Sequence, residues 1–164
     1  MKTRNDVSDA MQIRKAATED SAALTKIAND AKRHWGYPEH WLKHWQDDLT
    51  ISNDFIASTD VYVAESEGNV LGFYALIIRE DKAELDHLWV SPPHIGTGVG
   101  KQLFLHAMQH AAKENVSAVE ILSDPNAEGF YRKQGAHRIG EVVSEIDGEP
   151  RTLPRLTVDP KASS

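Results

Sequence analysis

The sequence predicts a mixed α/β domain, one central sheet with helices on its faces. Two observations carry this. Short segments with strand character interchange with amphipathic helical segments from residue 11 to residue 158. One predicted strand, stopped by Pro92-Pro93, also runs through a glycine-rich loop directly into a helix.

The elements follow in order. Met11 to Lys15 reads as a short strand. Thr18 to Ala31 reads as a helix: Glu19 and Asp20 suit the positive end of its dipole, and Ala23, Leu24, Ile27, Ala28 and Ala31 make one apolar stripe. Pro38 then marks a fresh helix start within an aromatic, His-rich stretch, His34 to Trp45. Val61–Glu65 and Val70–Ile78 read as two strands around the turn Glu67-Gly68-Asn69. Glu84 to Val90 is a fourth strand. Gly98 to Lys113 is a helix with its stripe at Leu103, Phe104, Ala107, Met108 and Ala111. Ala118 to Leu122 is a strand, and Asp124-Pro125 opens a further helix, with Asp as N-cap and Gly135 at its end. His137–Val143 and Arg151–Val158 close the chain as strands.

At 164 residues the chain is long enough for one domain with a full core, and it holds no cysteine to staple it. The absence of cysteine fits a reducing cytoplasm, the expected location. A net charge of -7 argues against nucleic acid and anionic membrane as partners and favours a cationic small molecule such as an amine. No segment approaches the ~20 apolar residues of a membrane-spanning helix. The expected organisation is a flexible tail over 1–10, the domain over 11–158 and a second tail over 159–164.

The most informative stretch is Ile95-Gly96-Thr97-Gly98-Val99-Gly100-Lys101. Glycines let a backbone approach a ligand closely, and the amides that open a helix attract phosphate oxygens. Lys101 adds a cation. Two nucleotide loops are excluded by spacing. A P-loop needs Gly where Ile95 stands and Ser or Thr where Gln102 stands. The dinucleotide fingerprint GxGxxG needs a third glycine at Lys101.

Strand, Val-Ser-Pro, glycine loop and amphipathic helix together resemble the pyrophosphate-binding motif of the GNAT N-acetyltransferases, Gln or Arg, two residues, Gly, any residue, then Gly or Ala. Gly98 and Gly100 fill the glycine positions, and Ile95 departs from the usual Gln or Arg. A second block, Asp124-Pro125-Asn126-Ala127-Glu128-Gly129-Phe130-Tyr131 followed by Gln134-Gly135-Ala136, resembles the family's Asn, Phe-Tyr and helix-ending Gly. The resemblance covers residues 11 to 158. It implies a mostly antiparallel, twisted sheet of six to seven strands, splayed between the fourth and fifth, with about four helices. It implies acetyl-CoA as co-substrate, its pantetheine along Leu88, Trp89 and Val90 and its pyrophosphate on the loop from Ile95 through Gly96, Thr97, Gly98, Val99 and Gly100 to Lys101. Asn126 and Tyr131 then face the pantetheine and thioester.

Amine attack on a thioester needs a base to free the nitrogen lone pair, since an alkylammonium has a pKa near ~10.4. It needs donors for the oxyanion, and a proton for the departing thiolate, whose thiol has a pKa near ~8.5. By resemblance Tyr131 is the acid. For the base, Glu84 ranks first, Asp86 on the same strand face second, and His87 on the opposite face third. Water carrying the proton away is the alternative to all three.

Trp35 and Tyr37 are candidates for an acceptor wall, where aromatic faces attract a cationic amine. Core packing explains them equally well. His87 is a further acceptor contact. Arg151 either meets an acceptor carboxylate or makes a salt bridge. The pairs His40/His44 and His106/His110 fall short of a metal site, and no metal is expected. A small-molecule or peptide amine is the expected partner. Oligomeric state is not legible, although homodimers are common in the family. The competing reading is a non-catalytic domain that senses an acyl-CoA or a metabolite.

Overall fold

A computed structural model describes residues 11–161. Among the described residues there are seven strands: β1 (Met11–Lys15), β2 (Asp60–Ser66), β3 (Asn69–Arg79), β4 (Lys82–Val90), β5 (Ala118–Leu122), β6 (His137–Ile146) and β7 (Glu149–Val158). Five helices accompany them: α1 (Ser21–His34), α2 (Glu39–His44), α3 (Asn53–Ser58), α4 (Val99–Lys113) and α5 (Glu128–Lys133). The strands form a single sheet in the order β1-β2-β3-β4-β5-β7-β6. The pairing of β4 with β5 is parallel and covers only Lys82, Ala83 and Glu84 against Ala118, Val119 and Glu120. The ladder between the two strands ends there. The expected tail 1–10, and residues 162–164 of the second tail, lie outside the described residues. Residues 159–161 form a turn in which the Lys161 amide donates to Asp159 over 2.9 Å.

The chain divides into two compact units, residues 11–75 with 87–104, and residues 76–86 with 105–161. β3, β4 and α4 each contribute to both.

In the first unit β1 pairs antiparallel with β2, Met11 opposite Ser66. Ala16, Leu24, Ile27, Ala28, Ile51, Ile56, Val61, Val63 and Phe73 form its core. Each large aliphatic side chain buried there stabilises by about 1.5–3 kcal/mol. Helix α1 is entered through a short 3-10 turn, Thr18–Asp20, so it starts three residues later than expected and ends three later. Asp20 organises the entry: it accepts from the Ala17 amide at 2.7 Å and from Arg14 at 2.9 and 3.0 Å. The buried stripe of α1 omits Ala23, which is exposed, and includes Lys32. Helix α3 was not expected. It is six residues long, and Ser52 caps it by accepting from the Phe55 amide at 3.1 Å.

In the second unit β5 pairs antiparallel with β7, and β7 with β6. The β6–β7 hairpin is longer than expected because Asp147 and Gly148, at φ 50° and 84°, make a two-residue turn. Pro154 sits in β7 just where the β5 ladder has ended at Leu122 opposite Arg155, so its missing N–H breaks no bond to β5.

Candidate active site

Strand β4 ends where the Ser91 amide donates to the Leu71 carbonyl at 2.8 Å. Pro92–His94 then form one 3-10 turn. Gly96 and Gly98 follow with φ of 83° and 94°, a left-handed backbone that a side chain disfavours. A Cβ at either position would meet nothing within 4 Å, so the need for glycine is conformational and not one of crowding. The first helical bond of α4 runs from the Gln102 amide to the Gly98 carbonyl, 3.1 Å. Helix geometry therefore leaves the amides of Gly98, Val99, Gly100 and Lys101 without intrahelical acceptors at the positive end of a fifteen-residue helix. Val99 is buried and anchors this end, while Ile95 is 46% exposed and Thr97 and Lys101 are exposed. That arrangement suits an anion of phosphate type.

Leu88, Trp89 and Val90 are half-buried at the end of β4. Gly72 on β3 lies hard against them: a Cβ there would sit 2.6 Å from the Trp89 carbonyl oxygen and 3.2 Å from Val90 Cα. His87 and Trp89 share one face of the strand, and the Trp89 indole N–H donates to His87 Nδ1 at 2.9 Å. The indole can only donate, so Nδ1 carries the lone pair and the imidazole proton is on Nε2. His87 packs edge-on to Phe55 and tilted against Phe73, with centroids at 5.7 and 6.1 Å. Trp35 meets Trp89 at 5.7 Å, and Tyr37 meets Trp45 at 5.1 Å. Of the expected acceptor contacts, Trp35, Tyr37 and His87 thus fall into one aromatic cluster with Trp89. At its centre is Lys32. The Lys32 ammonium lies 4.1 Å from the Trp45 ring, 5.1 Å from Tyr37, 5.8 Å from Trp35 and 6.0 Å from Trp89. Helical spacing signalled only that residue 32 follows the apolar Ala28 and Ala31.

The second unit holds the remaining candidates. Glu84 is ion-paired with Arg79 at 3.3 Å and stands opposite Glu120 in the register. Asp86, next on the same strand face, is exposed. Asp124 closes the turn before α5 by accepting from the amide of Asn126 at 2.8 Å and from its side chain at 3.1 Å. Arg151 donates to the same carboxylate at 3.0 Å, with side chains 13% and 6% exposed. The salt bridge open to Arg151 is present, and it holds the turn that carries Asn126. Tyr131 is buried and packs edge-on to Phe130 at 5.3 Å. Burial, with a smaller contribution from the Asp124 charge, pushes its hydroxyl well above the ordinary phenol range.

Among the described residues no cluster of three or more His, Cys, Asp or Glu is placed to hold a metal, and no helix is long and apolar enough to cross a membrane.

The model of the acetyltransferase (GNAT) family matches residues 22–136. A spermidine N(1)-acetyltransferase of Thermoplasma acidophilum is 26% identical over 142 residues, covering 77% of this chain and 88% of the relative. Human N-acetyltransferase 8B is 30% identical over 122 residues, 68% of this chain and 53% of the relative. Among solved structures, the PaiA N-acetyltransferase of T. acidophilum in complex with coenzyme A superposes with a TM-score of 0.73 at 22% identity, covering 91% of this chain and 98% of that one. A GCN5-related N-acetyltransferase from Rhodopseudomonas palustris gives 0.75 at 20% identity, with coverage of 90% and 94%. At these identities the two structures speak for the fold.

Proposed function

This chain belongs to the acetyltransferase (GNAT) family, and from that premise we propose that it transfers an acetyl group from acetyl-CoA to a primary amine of a small molecule or peptide. The observation that carries the reading is the loop into α4. Two left-handed glycines turn the chain so that the amides opening a long helix are presented together. The names of the relatives support the same reaction class, and the coenzyme A held by the T. acidophilum structure supports the donor.

In this reading the amides of Gly96 and of Gly98 to Lys101 hold the pyrophosphate, with Ile95 and Thr97 beside it, the Thr97 amide being engaged by the His94 carbonyl at 3.3 Å, and Lys101 adds charge. Main-chain groups of Leu88, Trp89 and Val90 hold the pantetheine. The thioester supplies the activated acetyl group. The acceptor nitrogen, once it has lost one proton to the base, bonds to the thioester carbonyl carbon. The C–S bond then breaks from the tetrahedral intermediate, and the nitrogen's surplus proton passes to the departing thiolate, which leaves the amide and the free thiol. Tyr131 donates a hydrogen bond from its hydroxyl toward the departing sulfur; a phenol is protonated at neutral pH, and burial moves it further from ionisation. Because its pKa exceeds that of a thiol, full transfer is uphill, so the donated hydrogen bond carries the benefit. Asn126, fixed by Asp124 and Arg151, orients the thioester end. Glu84, followed by Asp86, is proposed to take the ammonium proton. Glu84 must share its carboxylate with Arg79 to do so.

Gly98→Trp, which places a bulky side chain in the loop, is expected to abolish the stabilisation of the protein by acetyl-CoA in a thermal melt. Stabilisation equal to the wild type would move the pyrophosphate site elsewhere.

A further inference from the structure

The cluster around Lys32 is an aromatic box already filled by the protein's own cation. Four rings, Trp35, Tyr37, Trp45 and Trp89, stand within 4.1 to 6.0 Å of the ammonium. Lys32 is 8% exposed, so its stem runs inside the packing and its head is not a surface charge. Boxes of this kind bind alkylammonium ligands through the negative faces of the rings. Two of these rings, Trp35 and Tyr37, are the ones expected to wall the acceptor, and Trp35 meets Trp89 of β4 at 5.7 Å.

We propose that Lys32 is a specificity-determining residue. Its ammonium occupies the box where the second cation of a diamine or polyamine acceptor would bind. The acceptor class is therefore a monoamine whose remaining part is neutral or anionic. This rests on the acetyltransferase reading and narrows it. A second cation cannot share the box, because the Lys32 ammonium already takes its ring faces. The inference separates this chain from its relative named for spermidine.

The test opens the box. In Lys32→Ala, tetramethylammonium is expected to quench tryptophan fluorescence saturably and to raise the melting temperature. The wild type and Lys32→Arg should show neither effect, and Lys32→Met, which fills the space without charge, is the folding control. A wild type that binds tetramethylammonium as Lys32→Ala does, or a folded Lys32→Ala that does not respond, overturns the proposal. Turnover provides an arm that needs no variant to fold. Wild-type kcat/KM for a monoamine should exceed that for the diamine of equal chain length by about tenfold, a difference on the scale of one cation–π contact. A preference for the diamine overturns the proposal. The fluorescence arm does not depend on catalysis, whereas failure of the acetyltransferase reading would appear as silence toward every amine and no stabilisation by acetyl-CoA.

Discussion

The indole N–H of Trp89 donates to Nδ1 of His87 over 2.9 Å. The bond places the imidazole proton on Nε2, so His87 offers a donor and not a lone pair on its other side. His87→Gln, which also carries donors at its end, is then expected to keep kcat/KM within about tenfold of the wild type, whereas loss of a general base costs about 10² to 10⁴. The acidic limb of the pH–rate profile should persist in the variant. Its disappearance would make His87 the base.

Gly72 approaches the same strand from β3, with room for no side chain beside the Trp89 carbonyl. In Gly72→Ala the new Cβ meets backbone at 2.6 and 3.2 Å, so the end of β4 must move. Overpacking of this kind costs about 1–3 kcal/mol. The expected result is a lower melting temperature together with weaker acetyl-CoA binding, measured by calorimetry, because Leu88 to Val90 are displaced. Destabilisation with unchanged affinity would detach those residues from the pantetheine.

The entry to α1 sets an acid limit on stability. The hydrogen bonds from Arg14 hold the Asp20 carboxyl below the usual carboxylate range, and the bond from the Ala17 amide adds to this. A depressed folded pKa means that the contribution is fully present above the unfolded value of about 3.9 and is lost as pH falls through the folded one. Asp20→Asn should cost about 1–2 kcal/mol at neutral pH. The difference between the two proteins should shrink in melts taken below about pH 4. A difference that stays constant with pH would contradict this role for the charge.

What was legible in the sequence follows from the range of the interactions. The loop was readable because its glycines must adopt local backbone geometry that few residues reach, and Gly96 and Gly98 do adopt it. The stripe of α4 was readable from its period, and all five of its expected residues are buried. Helix α3 was too short for any period, although Ser52 before Asn53-Asp54 was an available cap signal. The Asp147-Gly148 turn was a further local signal, and reading it would have lengthened the last hairpin. Two features had no local signal at all. Arg151 meets Asp124 across 27 residues through the turn that follows β5. Lys32 enters the aromatic box only because the chain doubles back after α1 at Gly36, whose φ is 84°. Charged side chains at such sites are decided by packing partners far away in sequence, and helical periodicity carries no information about them.

The measurement that bears most directly on the central claim is release of the coenzyme A thiol from acetyl-CoA in the presence of a panel of primary amines, with Tyr131→Phe run alongside. The expected result is release that depends on one class of amine and falls at least about tenfold in the variant, while acetyl-CoA affinity stays nearly unchanged. No amine-dependent release, combined with no stabilisation of the protein by acetyl-CoA, would contradict the assignment.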